Sequence, residues 1–426
     1  MTILQPIQAQ GGGCDTTERV KSLVPLEDAL KLIEQTVAPI STSEQVPLSA
    51  AVGRIPAEPV EALGMAAAFD NSAMDGYAIR CASLTGDGPW TLPVSGRIPA
   101  GTTGQQPFTG RGAVRIFTGA PVPSGADAVI AQEEVVREEG KITIHRSPAV
   151  GLNIRRAGAG MVRGQRILER GVRLGPREIA ACAAAGCAQV SVLLPLRVSL
   201  LVTGDEVQSA GSDRHDAQIW DINTPMISAA LSGAHIELVQ VKRGADSREA
   251  LRRMVVTMSG QSDLIITTGG ISVGEEDHVK PVMHTLGAEV VFSGVAIKPG
   301  KPVSFGRLGT ALWLGLPGNP LSAFVTWQVF GTAILRALLQ MQGSQAAHRH
   351  VTLGKPVRRK PGRCEFRPAH FVGFDGQGRE VVDFETRISS GHVAALPGAD
   401  GLILLPKDTE ELPEGALVEF QPFCTF

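Results

Sequence analysis

The spacing of apolar and polar positions changes along the chain, and each change marks a different kind of element. From Leu196 the pattern is an unbroken apolar run Leu196–Val202, a helix over Ile222–Leu231, a strand over His235–Val241, a helix over Ser247–Met258 and a second apolar run Leu264–Thr268. Continuous β-branched runs of this length predict strands buried on both faces, and their alternation with helices predicts a doubly wound parallel sheet. A helix from about His278 to Leu286 and a buried strand from Ala288 to Ile297 extend it. Upstream, Leu26, Ala29, Leu30 and Ile33 mark one face of a short helix ending near Thr36. Trp90 to Ile144 instead carries short alternating runs, Ala113–Phe117 and Ala128–Ile130 among them, which predict a small all-β domain. Pro176–Gly186 is an alanine-rich helix. Beyond Leu316-Pro317-Gly318-Asn319-Pro320 another helix runs to about Leu338, with Asn319 at its N-cap. Val351 to Phe426 returns to short strands and turns and predicts a compact β-barrel. Met1 to Lys21, with three consecutive glycines and no periodicity, predicts a disordered lead-in.

Length and composition narrow the classes. A chain of 426 residues that is 43% hydrophobic exceeds what one core accommodates and implies several domains. A net charge of −2 supplies no global basic field for nucleic acid or an anionic membrane, so an anion must be captured locally. No apolar run approaches the length of a membrane span, and the first residues lack the basic start and apolar core of a signal peptide, so a cytoplasmic protein is expected. The six cysteines (Cys14, Cys81, Cys182, Cys187, Cys364, Cys424) form no Cys-x-x-Cys pair and read as reduced structural thiols.

Candidate chemistry gathers where strands end. The Leu264–Thr268 run stops at Gly269-Gly270, after which Ser272, Val273 and Gly274 can turn backbone N–H groups toward an anion beside Glu275, Glu276 and Asp277. Such donors next to carboxylates suit a phosphate with a divalent metal. Ligands of doubly wound sheets lie outside the carboxyl ends of strands, so Asp205-Glu206, after Thr203-Gly204, are expected in the same pocket. Lys298-Pro299-Gly300-Lys301-Pro302 sets two lysines between two prolines, a stiff cationic turn; its glycine spacing is not that of a phosphate loop. Asp277 as a helix cap and the lysines as solvated turn residues are the plainer alternatives. Asp70 and Asp75, before a strand, and Thr118, after one, read as turn residues on their own.

The segments FDNSAMDGYAIR (69–80), RIFTGAPVPSGADAVI (115–130), NIRRAG (153–158), LVTGDE (201–206), TTGGISVGEEDHVK (267–280), AIKPGKPVSFG (296–306) and GLPGNPLSA (315–323) resemble the molybdopterin molybdenumtransferase family, MoeA, which includes the gephyrin E domain. The resemblance runs from about Pro25 to the C-terminus. It implies a linker domain split over 22–60 and 150–195, an inserted β-domain over 61–149, a molybdopterin-binding α/β domain over 196–340 and a C-terminal β-barrel over 341–426. It implies an elongated homodimer that transfers molybdate to adenylylated molybdopterin, with Mg²⁺-dependent loss of AMP. Molybdopterin adenylyltransferase and molybdoenzymes or cofactor carriers are the implied partners. The family's catalytic positions fall on Asp75, Thr118, Glu206, Asp277, Lys298 and Lys301, with Asp75, Glu206 and Asp277 at the metal. Cofactor-binding positions fall on Arg155, Thr203, Gly204, Asp246, Gly269, Gly270, Ser272, Gly274, Pro317, Pro320, Ser322 and Ser390.

Three positions depart from the family pattern. Gly160 stands where the family usually has Asp, Gly294 where a Lys often occurs, and Pro368 where an Arg is expected. Arg367 is the candidate replacement for the last, and Arg156 or Arg163 for the space left at Gly160; a slower transferase is therefore expected, with Gly294→Lys restoring a cation. A divergent molybdopterin-binding or scaffold protein, and an adenylylating enzyme on a sister fold, are the alternatives from other classes.

Overall fold

The computed structural model describes residues 23–65, 67–103, 108, 111–244, 247–271, 277–341, 349–386, 391 and 393–423. The lead-in, Asp246, residues 272–276 and Ser390 lie outside the described residues.

The region from Leu196 folds as a six-stranded sheet in the order Ile236–Gly244, Leu196–Thr203, Leu264–Thr268, Ala311–Leu316, Ser304–Leu308, Glu289–Ser293. The first four strands are parallel neighbours, because helices carry the chain back over the faces between most of them. Alternate residues face opposite ways: Leu264 and Ile266 pack with Ile227 and Leu335, whereas Ile265 and Leu201 pack with Leu251, Val255 and Val282. Both faces are therefore buried, which explains the unbroken apolar runs.

The last two strands depart from the expected all-parallel sheet. Ser304–Leu308 and Glu289–Ser293 are antiparallel to their neighbours. The strand expected over Ala288–Ile297 ends at Ser293, and it is an edge strand with Val290 45% exposed. Gly294, at φ +92°, turns the chain away, and Ile297–Lys298 then pairs in parallel with Cys364–Glu365 of the C-terminal barrel. An apolar run cannot by itself reveal that its two halves belong to different sheets.

The helix after Asn319 comprises Pro320–Thr326, a π turn Trp327–Gly331, and Thr332–Leu339. These 20 residues are long and apolar enough to cross a bilayer, contrary to the run-length reading, yet 78% of the relevant window is buried inside the protein. They pack with the Leu26–Thr36 helix in the main core.

Ser43–Pro47 pairs with Gln189–Leu193, Val60–Glu61 with Arg166–Leu168, and Asn71–Ser72 with Ile154–Arg155. Between the outgoing and returning chains lies a six-stranded sheet ordered Ala128–Ala131, Gly76–Ile79, Ala113–Ile116, Trp90–Ile98, Lys141–Ile144, Val135–Glu138. At the C-terminus, Cys364–Phe374, Glu380–Phe384, Arg349–Leu353, Leu417–Pro422 and Gly401–Leu405 form a barrel that closes through the pairing of the first with the last.

Candidate active site

Three adjacent parallel strands end at Thr203, Thr268 and Leu316, and above them opens a cleft of about 730 Å³. Its floor is backbone. Gly269 and Gly270 have φ of +87° and +61°, and a Cβ on Gly269 would lie 2.7 Å from Thr203 Oγ1. A Cβ on Gly270 would lie 2.9 Å from Val279 Cγ2, so the loop closes down on its neighbours only because both residues are glycine. The loop after the next strand nests against it, with Gly269 N–H donating to the Leu316 carbonyl at 3.2 Å. Thr268 Oγ1 donates to the Pro317 carbonyl at 3.1 Å and itself accepts from Asn223 Nδ2 at 2.7 Å. Asn223 Nδ2 also reaches the Gly318 carbonyl at 2.8 Å. Its Oδ1 is buried with no partner among the described residues, a condition that typically costs about 1–3 kcal/mol and that a ligand donor in the cleft would relieve.

Glu206 and Asp277 line this same cleft from different loops. Gly204, at φ +130°, turns the chain so tightly that a Cβ there would lie 2.9 Å from both Glu206 carboxylate oxygens. The helix after Asp277 is Val279–Thr285 with His278 in its cap position, so Asp277 does not occupy the N-cap that the plainer alternative gave it. Asp221, also on the lining, is 8% exposed and accepts from Thr224 N–H at 2.9 Å, which starts the Asn223–Ala230 helix. Asn319 precedes the helix at Pro320 without a side-chain capping bond and also lines the cleft.

The cationic turn builds a second pocket of about 290 Å³, lined by Lys298 to Pro302, Ser322, Arg363, Glu365 and Phe366. Pro302 lines both compartments, so the two adjoin. Gly300, at φ +106°, lies where a Cβ would approach Thr326 Cγ2 to 2.3 Å, and this close packing seats the turn against the helix. Lys298 Nζ is 3.4 Å from Glu365 Oε1. Glu365 is 3% exposed and also meets two arginines that are nearly as deeply buried: Arg367 Nη2 at 2.8 Å and Arg359 Nε at 3.5 Å. Lys298 is therefore paired rather than a freely solvated turn residue, while Lys301 is exposed.

Asp75 and Thr118 come together in the inserted β-domain. Thr118 N–H and Oγ1 both donate to Asp75 Oδ1 at 2.8 Å, and these bonds, the backbone one foremost, hold the Asp75 carboxyl below the usual range. Arg155 is on the adjoining two-stranded ladder, opposite Asn71. None of the three lies on the lining of either compartment. Among the described residues no three His, Cys, Asp or Glu side chains gather as a metal site, so Asp75 does not join Glu206 and Asp277 within one chain.

The departures take definite forms. Arg367 does not extend into the lysine pocket: its guanidinium is spent on Glu365 and the Glu385 and Thr386 carbonyls. Arg363, which sequence reasoning passed over, lines that pocket instead. Arg156 is held by Asp70 at 2.5 Å, and Ala157 N–H donates to the same carboxylate, so Arg156 is already engaged by a carboxylate of its own. A side chain at Gly294 meets both a left-handed backbone and Leu23 Cδ2, 3.2 Å from the added Cβ. Asn223, Trp220 and Arg214 on the cleft and Glu365 at the turn were also missed; for Trp220 and Asn223, the IWDIN stretch ahead of a helix was the available signal.

A strand-end cleft lined by glycine loops and by the Glu206 and Asp277 carboxylates, adjoining a lysine pocket completed by a barrel domain, places the candidate site of a multi-domain α/β protein at the carboxyl ends of its parallel strands. Residues 24–186 match the MoeA N-terminal region (domain I and II), 199–337 a probable molybdopterin binding domain, and 350–423 the MoeA C-terminal region (domain IV). The chain is 36% identical over 395 residues to a molybdopterin molybdenumtransferase of Haemophilus influenzae, covering 92% of this chain and 96% of that one. It is 33% identical over 385 residues to molybdopterin molybdenumtransferase 2 of Mycobacterium tuberculosis, covering 88% and 93%. A crystal structure of the molybdopterin biosynthesis MoeA protein of Pyrococcus horikoshii superposes with a TM-score of 0.82 at 27% identity, covering 94% of this chain and all of that one. The chain belongs to the molybdopterin molybdenumtransferase family, MoeA, a transferase family of molybdenum cofactor biosynthesis.

Proposed function

We propose that the protein transfers molybdate to adenylylated molybdopterin with Mg²⁺-dependent release of AMP. The observation that carries this is the adjoining of the two compartments at Pro302: a cleft large enough for a nucleotide-linked pterin beside a small pocket whose lysines and Arg363 suit a tetrahedral dianion. The donor set fits the metal. Mg²⁺ is commonly held by one or two carboxylates together with substrate phosphates, and Glu206 and Asp277 share the cleft. Bound there, the ion would neutralise charge on the phosphoanhydride as AMP leaves. The Gly269-Gly270 loop and the helix start at Asn319-Pro320 orient the phosphates, and Lys298 and Lys301 hold the oxyanion against the adjoining end of the substrate.

Asp75, Thr118 and Arg155 are assigned to the same reaction in a homodimer, supplied to the cleft of one subunit by the β-domain of the other. What supports this is their ordered geometry together with their separation from both compartments of their own chain. Incubation of the protein with adenylylated molybdopterin, Mg²⁺ and molybdate should release AMP in proportion to molybdopterin converted. Release that ignores molybdate, or none, would overturn the proposal. A monomer by light scattering with full activity would remove the shared-site part alone.

A further inference from the structure

The exposed aromatic at the cleft is not used by any step above. Trp220 is 50% exposed and lines the cleft, beside Ile219, which is 52% exposed. It lies on a short tongue: Val207-Gln208 pairs in parallel with Ile219-Trp220, Ile219 N–H donates to the Glu206 carbonyl at 2.8 Å, and Asp221 N–H donates to the Gln208 carbonyl at 2.6 Å. The Arg214 guanidinium lies 4.7 Å from the centroid of the Trp220 ring. A half-exposed ring presented on a tied ladder at the lining of a ligand cleft, with a cation over it, has the form of a stacking platform for a planar heteroaromatic base.

Sheet order decides which planar end of the proposed substrate would reach it. The tongue leaves the strand that ends at Thr203, whereas Pro302 and the lysine turn precede Ser304, three strands further across the same sheet. The register Ser304↔Gly315 puts the start of that antiparallel strand at the same sheet edge as the cleft. At about 4.8 Å per strand the two features stand roughly 14 Å apart along the sheet edge. The end of the substrate that accepts molybdate must face the lysine pocket. The adenine, on the other side of the phosphates, is then directed to the tongue.

We infer that Trp220, braced by Arg214, is the adenine-stacking residue of this cleft and sets the preference for a purine nucleotide as leaving group. The inference rests on the proposed reaction for the direction of the substrate, but its test needs no turnover. Of the four tryptophans, Trp313 and Trp327 are fully buried and Trp90 belongs to the inserted β-domain. In a Trp90→Phe background, AMP should quench the accessible emission and ribose 5-phosphate should not. Trp220→Phe should abolish the quench yet keep AMP affinity by calorimetry, because the aromatic face is conserved. Trp220→Ala should weaken AMP roughly tenfold while leaving ribose 5-phosphate unchanged. Equal losses for AMP and ribose 5-phosphate in Trp220→Ala would overturn the inference, since the tongue would then act only as scaffold. Quenching by free pterin but not by AMP would overturn it in favour of the opposite direction. A protein that shows the AMP quench but no molybdate-dependent AMP release would uphold the stacking and defeat the reaction.

Discussion

The cleft and the lysine pocket meet at Pro302 but are held by different means. The α/β domain makes the cleft apart from Gly391, and tight loops shape it: Gly269, Gly270 and Gly204 adopt left-handed conformations so that loops close on one another, and Asn223 and Thr268 tie them by short hydrogen bonds. Two domains make the lysine pocket, mainly from charge. Lys298 and Lys301 come from the α/β domain, Arg363 and Glu365 from the barrel, and the parallel pairing Lys298↔Glu365 joins them. A site shaped by tight loops owes its precision to local residues, whereas a charged site depends on a buried counterion far away in the chain. The two should therefore fail differently when altered.

The largest effect is expected at the counterion. Glu365→Gln leaves Arg359 and Arg367 buried without their carboxylate and should cost about 3–5 kcal/mol, read as a lowered unfolding midpoint. Glu206→Gln, in the loop-shaped cleft, should leave the midpoint within experimental error. Equal midpoints for the two variants would erase the contrast between the compartments.

Next comes Asp277→Asn, which is expected to reduce Mg²⁺-dependent AMP release by roughly ten- to a hundredfold, the equivalent of about 1.5–3 kcal/mol, without moving the midpoint. Full activity in that variant would exclude Asp277 from the metal. Gly294→Lys, which on the sequence restores a cation, should instead destabilise by about 1–2 kcal/mol, because φ of +92° disfavours any side chain there. A stable variant that binds molybdate more tightly would show that the turn can rearrange.

A smaller change is expected for Lys301→Ala, which should raise the molybdate requirement roughly fivefold, because Lys298 and Arg363 remain in the pocket. No change would return Lys301 to the role of a solvated turn residue. The smallest effect concerns pH. Backbone N–H donors from Ala157 and Thr118 are the leading cause of lowered carboxyl pKa values at Asp70 and Asp75. The stability these groups contribute is complete above the unfolded carboxylate value of about 3.9 and is lost only as pH falls through the lower folded value. Thr118→Val should therefore leave the stability profile between about pH 5 and 8 without a new inflection. An inflection there that vanishes in Asp75→Asn would show the pair to be differently arranged in solution.

What the sequence determined by itself is whatever depends on neighbours in the chain. Leu26–Thr36 forms a helix with the bounds that its apolar face marks, and the runs at Leu196 and Leu264 become central strands because both sheet faces are covered. Gly269-Gly270 after a buried strand marks a tight loop, and Glu206 and Asp277 share a cleft because both follow the ends of adjacent parallel strands. Tertiary structure alone decided that the Ala288–Ile297 run divides between an edge strand and a barrel partner, that Arg367 is consumed by Glu365, and that Arg363 is the barrel's arginine at the lysine pocket. It also separated Asp75 and Thr118 from the cleft of their own chain. Hydrophobic periodicity encodes which face of an element is buried, but not which distant charge lies across from it; that partner is fixed only when two domains register strand against strand.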